Sequence, residues 1–205
     1  MKTILSIVYL FAAAHLLAGE GFKVGDKAAD FKLKNVDGKY VSLADFPQAK
    51  GFVIVFTCNT CPYAKAYQDR FIELDKEYKA KGFPVIAINA NDPAVEPGDS
   101  YEAMVTRYNE KGYSFPYLFD EKHEVYRMYG ATKTPHTFLL EKNEKEELIV
   151  KYIGAVDDNY QDASAVKQDY LKNAINALLS NREPDPNYTK AIGCGVKQKT
   201  EAAKL

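Results

Sequence analysis

The sequence predicts an α/β fold, a central mixed sheet flanked by helices, with an N-terminal β-hairpin extension and an irregular C-terminal tail. Three observations carry this expectation. Gly51–Phe56 is an unbroken apolar, β-branched run, as in a strand covered on both faces. A helical apolar pattern follows at once, and then a second apolar run over Phe83–Asn89. That is a β-α-β unit, which requires parallel pairing and a right-handed crossover. Finally, His136–Leu140 and Leu148–Ile153 flank the turn Lys142-Asn143-Glu144 and so read as an antiparallel pair. Parallel and antiparallel neighbours in one sheet make it mixed.

In chain order, the first twenty residues read as a secretory signal. Lys2 supplies the positive start, Ile4 to Ala14 the apolar stretch, and Leu16-Leu17-Ala18-Gly19 a small-residue exit. The stretch is shorter than the roughly 20 residues of a spanning helix. Export and release are expected, with a mature start near Glu20–Phe22 and no stable membrane insertion; an uncleaved anchor is the alternative. Phe31-Lys32-Leu33-Lys34 alternates, Val36-Asp37-Gly38-Lys39 turns, and Tyr40-Val41-Ser42-Leu43 resumes extended, which predicts the hairpin.

From Pro62 the positions Tyr63, Tyr67, Phe71, Leu74 and Tyr78 form one helical face, and Gly82 stands where a C-cap belongs. Asp99-Ser100-Tyr101-Glu102 resembles a capping box ahead of Met104, Val105 and Tyr108. Phe115 to Phe119 reads as a strand, and Glu121 to Tyr129 as a short helix closed by Gly130. Ser164 to Ser180 carries the last helical stripe. Pro184, Pro186 and a Lys-rich end predict an irregular tail over 182–205, frayed at its terminus. The domain itself is expected over 22–181.

Composition narrows the function. At 205 residues with 46% apolar content, the chain can bury a sizeable core. Its net charge is −1 with no basic stripe, which argues against nucleic acid as a partner. Three cysteines are too few for a disulfide scaffold. They divide into a local pair, Cys58 and Cys61, and a distant thiol, Cys194.

The pair sits where an apolar strand meets a helix. Spacing of three lets the sulfurs meet without backbone movement, so the pair can cycle between dithiol and disulfide. Unpaired N–H groups at the helix start favour thiolate over thiol. Cys58 is expected at the strand end, the more exposed of the two and the nucleophile. Cys61 is expected inside the first helical turn, where it resolves the mixed disulfide. Asn59 and Thr60 between them are not ionisable, which predicts a moderate or reducing potential. Half a zinc site is the alternative for a Cys-x-x-Cys, but there is no second pair, and His123 and His136 lack ligand spacing. A purely structural bridge would close too short a loop to remove much unfolded-state entropy.

Further motifs give the chain a family resemblance. Val24-Gly25-Asp26-Lys27-Ala28-Ala29-Asp30-Phe31 resembles the opening of the alkyl hydroperoxide reductase/thiol-specific antioxidant branch of the thioredoxin superfamily, with Ala29 where proline is usual. More closely, the chain resembles the bacterial peroxiredoxin-like thioredoxin-domain family. The motifs are Phe56 to Tyr63, Ala87 to Asp92, Phe115 to Asp120, Thr134 to His136, Asp157 to Tyr160 and Ile192 to Cys194. Thr60 replaces a usual histidine, and Lys133 stands where relatives often carry cysteine.

The resemblance implies a thioredoxin-like fold in which Thr134-Pro135 is a cis-proline loop facing the cysteines, its backbone ready to pair with an extended substrate. It implies substrate-facing positions at Thr134, Pro135, Thr57, Asn59 and Thr60, no cofactor beyond a Cys58–Cys61 redox disulfide, and no metal. Cys194, on a flexible tail, has two readings, an accessory redox thiol that reaches back to the site or a plain free cysteine, and the second is preferred. A peroxidase would carry Thr or Ser three residues before its thiol; Val55 and Cys58 stand there instead. No buried acid is visible among Phe52 to Phe56 to assist proton transfer. The expectation is an extracytoplasmic, periplasmic-type thiol–disulfide oxidoreductase acting on protein or small-molecule disulfides and recharged by an upstream dithiol. A thiol peroxidase and a redox-inert binding module are the alternatives.

Overall fold

The structure, a computed structural model, describes residues 21–199; the expected export signal lies outside them. The apolar run becomes strand β3 (Gly51–Thr57), buried at every residue. Its alternation feeds two cores. Val53 and Val55 face Tyr67, Phe71, Leu74 and Tyr78 of helix α1 (Pro62–Tyr78). Phe52, Ile54 and Phe56 face Phe31, Leu43, Tyr129 and Phe138 on the other side. A period of two therefore serves both layers from one uninterrupted run.

Before β3, the hairpin forms as β1 (Lys32–Asn35) and β2 (Tyr40–Ser42). After α1, a short 3-10 turn ends at Gly82, whose φ of 99° favours glycine. Strand β4 (Val85–Asn89) then runs parallel to β3, in register Val53↔Val85 to Thr57↔Asn89. Helix α2 (Tyr101–Lys111), β5 (Tyr117–Phe119) and the one-turn α3 (Val125–Tyr129) follow. Next come the two-residue β6 (Lys133–Thr134), β7 (His136–Lys142) and β8 (Leu148–Gly154). The sheet order is β2-β1-β5-β4-β3-β7-β8. β3 is parallel to β4 and antiparallel to β7, so the sheet is mixed and β3 lies inside it.

Three expectations need correction. The capping residue of α2 is Ser100, whose hydroxyl accepts from the Ala103 N–H; Asp99 turns inward instead. The last helix, α4 (Tyr170–Leu179), starts six residues later than Ser164. Asp162 caps a single 3-10 turn at Ala163–Ala165, and the Lys167 N–H donates to Asp158 while the Asp158 N–H donates to the Gln168 carbonyl. These bonds fold the segment back before a helix can propagate, so Val166 lies outside α4.

The tail, expected to be flexible, is irregular but fastened. Thr189 exchanges backbone and side-chain bonds with Ile153, Tyr152 and Ala155. The Lys197 N–H donates to Asn91, and its carbonyl accepts from the Asp92 N–H. Between these anchors, β9 (Cys194–Gly195) pairs antiparallel with β6, in register Thr134↔Cys194.

Candidate active site

β3 ends at Thr57 and α1 begins at Pro62, so the residues between them form a loop at the carboxyl edge of the sheet. Proline at the first helical position needs no hydrogen-bond partner, and Cys61 becomes the N-cap, with extended backbone at φ −64° and ψ 126°. Cys61, not Cys58, therefore meets the helix N-terminus. The expectation that Cys58 is the more exposed thiol also fails: Cys58 is 2% exposed and Cys61 4%.

The Thr134–Pro135 bond is cis, and this loop closes over both sulfurs. Cys58 Sγ lies 3.3 Å from Thr134 Oγ1, and Cys61 Sγ lies 3.2 Å from the Thr134 carbonyl oxygen. Cys194 packs against the same pair, with Ala64 and Tyr63 completing the cluster. Thus Cys58, Cys61, Thr134, Pro135 and Cys194 are brought together. The other substrate-facing candidates are not. Thr57 is buried at the end of β3. Asn59 is 3% exposed and spent internally, donating to the Gly98 carbonyl and accepting from the Tyr117 hydroxyl. The Thr60 hydroxyl donates to Asp99.

Asp99 is the residue that the sequence did not reveal. It is fully buried and accepts from the Asn59 N–H (2.6 Å), Thr60 Oγ1 (2.9 Å), Asn89 Nδ2 (3.0 Å) and Asn91 Nδ2 (2.8 Å). Four donors match the acceptor capacity of one carboxylate. Asn91 in turn accepts from the tail at Lys197, so one carboxylate ties the cysteine loop, the end of β4 and the tail together. The missed signal was a polar Asn-x-Asn after an apolar strand, Asn89 and Asn91, with an Asp eight residues beyond Asn91.

The two thiols are polarised in opposite directions. Cys61 is pulled well below the ordinary thiol range. The Cys58 thiol donating to it is the largest cause; burial opposes, and the Cys194 thiol and the Ala64 backbone N–H add to the lowering. Cys58 is pushed up, first by that bond to Cys61, then by burial, then by the charge of Asp99. The Thr134 carbonyl favours a protonated Cys61 and so opposes that lowering.

Residues 24–149 match the AhpC/TSA family. The chain belongs to the AhpC/TSA family. Among its AhpC/TSA and thioredoxin-like relatives, the thiol-disulfide oxidoreductase ResA of Geobacillus thermodenitrificans is 26% identical over 173 residues, covering 82% of this chain and 95% of that protein. The crystal structure of an uncharacterized conserved protein from Geobacillus kaustophilus superposes with a TM-score of 0.80 at 37% identity, covering 88% of this chain and 95% of that one. Peroxidoxin BcpB of Mycobacterium tuberculosis, at 18% identity and a TM-score of 0.51 over 64% of this chain and 84% of that one, shares the fold. The AhpC/TSA match ends near the β7–β8 turn, so the tail that carries Cys194 lies beyond it.

Proposed function

We propose that Cys58 and Cys61 form a redox dithiol that exchanges disulfides with a substrate. The protein is a thiol–disulfide oxidoreductase, in keeping with relatives of that name. The observation that carries the proposal is that both thiols sit where β3 meets the 17-residue helix α1, under the cis Thr134–Pro135 loop that contacts each sulfur. A thiolate of the pair attacks a substrate disulfide, forming a mixed disulfide and releasing the first substrate sulfur as a thiolate. The other thiol of the pair then loses its proton and attacks the cysteine sulfur held in the mixed disulfide, the second substrate sulfur leaves, and two electrons have passed to the substrate. An upstream dithiol reduces the resulting Cys58–Cys61 disulfide; no further cofactor enters.

Thr134 and Pro135 supply the surface against which the substrate lies. Arg70, the arginine on α1, bonds Asp157 and the carbonyls of Asn159 and Tyr160 rather than the thiols, which favours disulfides over peroxide as the substrate class. The N-terminal sequence pattern supports an exported, extracytoplasmic protein. Among the described residues no helix is long and apolar enough to cross a membrane. Reduction of insulin disulfides by a dithiothreitol-coupled assay is expected to vanish in Cys58→Ser and in Cys61→Ser. Full reduction retained in either variant, or hydrogen peroxide consumption exceeding disulfide reduction in the wild type, would refute the proposal.

A further inference from the structure

His136 closes the Thr134-Pro135-His136 motif but takes no part in the thiol chemistry. It pairs with Phe56 across β3, shares a strand face with Phe138 and packs on that ring at 4.8 Å. Phe56 and Phe138 belong to the core on the side of the sheet away from α1. The imidazole is 8% exposed. Its Nδ1 accepts from the Thr132 N–H at 3.3 Å, so the proton of the neutral ring sits on Nε2. Burial holds the ring's pKa down to about 4, which keeps it neutral at ordinary pH. Among the described residues Nε2–H has no acceptor, yet the atom is not sealed inside protein. The ring lines a cavity of about 520 Å³. A buried donor without an acceptor is a rare and costly feature.

The cavity is floored by Tyr129, Phe138 and Ile153, all buried. Segments from both ends of the described chain wall it. On one side Gly21 lies so close to Gly130 that a Cβ would stand 2.1 Å from the Gly130 Cα, and Phe22 meets Tyr129 edge-on at 4.9 Å. On the other, the Ile153 N–H donates to the Asn187 carbonyl and the Thr189 N–H donates to the Ile153 carbonyl. Those two bonds hold Tyr188 between them at the rim, where it is 62% exposed. Walls fixed in this way make a preformed site. Its volume falls within the roughly 300–1,000 Å³ usual for small-molecule pockets.

We infer that this cavity binds a compact, uncharged apolar molecule with one carbonyl acceptor, an aryl ketone or amide in chemical class, seated with its oxygen on His136 Nε2–H. The apolar floor takes the body of the ligand, and the single donor fixes its orientation. A carboxylate is disfavoured, because a neutral imidazole does not compensate a buried charge and the cationic Lys23 is exposed at the rim. The site stands apart from the thiols and does not depend on the redox reading.

The test titrates nitrogen-15-labelled protein with acetophenone and with α-methylstyrene, which has the same shape but a methylene in place of the oxygen. Acetophenone is expected to give a saturable shift of the His136 Nε2–H signal and to bind about tenfold tighter than α-methylstyrene. His136→Phe keeps a ring but no donor; read from the Phe138 and Ile153 amides, it is expected to bind both probes equally. Val24→Trp fills the half-buried wall and is expected to lose both probes with insulin reduction unchanged. No saturable shift at His136, equal affinity for the two probes in the wild type, or undiminished binding in Val24→Trp would each overturn the site. So would contacts to the probe-free His136 ring from residues 1–20, or from a second copy as concentration rises, since they would give the cavity to that occupant.

Discussion

Replacing Asp99 by alanine tests whether one buried carboxylate holds the site. The substitution leaves the Asn59 N–H, Asn89 Nδ2 and Asn91 Nδ2 without their acceptor in a fully buried position. Thr60 is half-buried, and its hydroxyl can turn to water. Each stranded buried donor costs about 1–3 kcal/mol. Removing a buried charge returns part of that, so the net loss is expected at roughly 3–5 kcal/mol. That is a large share of the roughly 5–15 kcal/mol typical of a domain. Asp99→Asn keeps an oxygen for two donors but sets an amide N–H against another at Asn91, and roughly 1–2 kcal/mol is expected. Urea unfolding of reduced protein at pH 7 measures both as a shift in midpoint at constant slope. An alanine variant within about 1 kcal/mol of the wild type would refute the assignment of Asp99 as the hub.

Three further outcomes follow from the same geometry. Thiolate absorbance at 240 nm should develop for Cys61 well below the usual thiol midpoint of about 8.5, and the midpoint should rise in Cys58→Ser, because the Cys58 bond is the largest cause of the lowering; a single transition above pH 8 in the wild type would contradict it. Burial lowers His136 to about 4 against an unfolded value of about 6.5, so between these pH values the unfolded chain binds the extra proton. Stability should therefore fall by up to roughly 3 kcal/mol as pH drops from 6.5 to 4, and His136→Gln should flatten that part of the urea-midpoint profile; an unchanged slope would contradict the neutral buried ring. Asp157→Ala removes the ion-pair partner of the Arg70 guanidinium, 18% exposed, which keeps the Asn159 and Tyr160 carbonyls, and leaves the buried Tyr67 hydroxyl without its acceptor, with an expected loss of about 2 kcal/mol in thermal or urea unfolding; a variant as stable as the wild type would show that this pair holds nothing.

Much of the architecture was legible because local pattern and tertiary role coincide in it. Gly51–Phe56 is apolar at every position, and only a strand between two cores needs that. The α1 stripe, Gly82 and the hairpin at 31–43 read correctly for similar reasons. What was illegible depends on contacts distant in sequence. Asp99 fits a helix cap by spacing, yet its partners Asn59 and Thr60 lie 40 and 39 residues away, and they drew it inside. The start of α4 was misplaced because Asp158 captures the backbone of Lys167, a bond that apolar periodicity does not register. The start of α1 was misjudged for a local reason: Pro62 begins the helix, so Cys61 is its N-cap rather than a residue of its first turn. The tail looked loose by composition, but Gly193 and Cys194 gain their meaning only against Thr134.

The central claim is that Cys58 and Cys61 are the redox pair. Its most direct test incubates the reduced protein with a protein disulfide, quenches in acid and maps the thiols by peptide mass under non-reducing conditions. A Cys58–Cys61 disulfide that forms in step with reduction of the substrate is the expected result. Reduction of the substrate with Cys58 and Cys61 both left as thiols would contradict it.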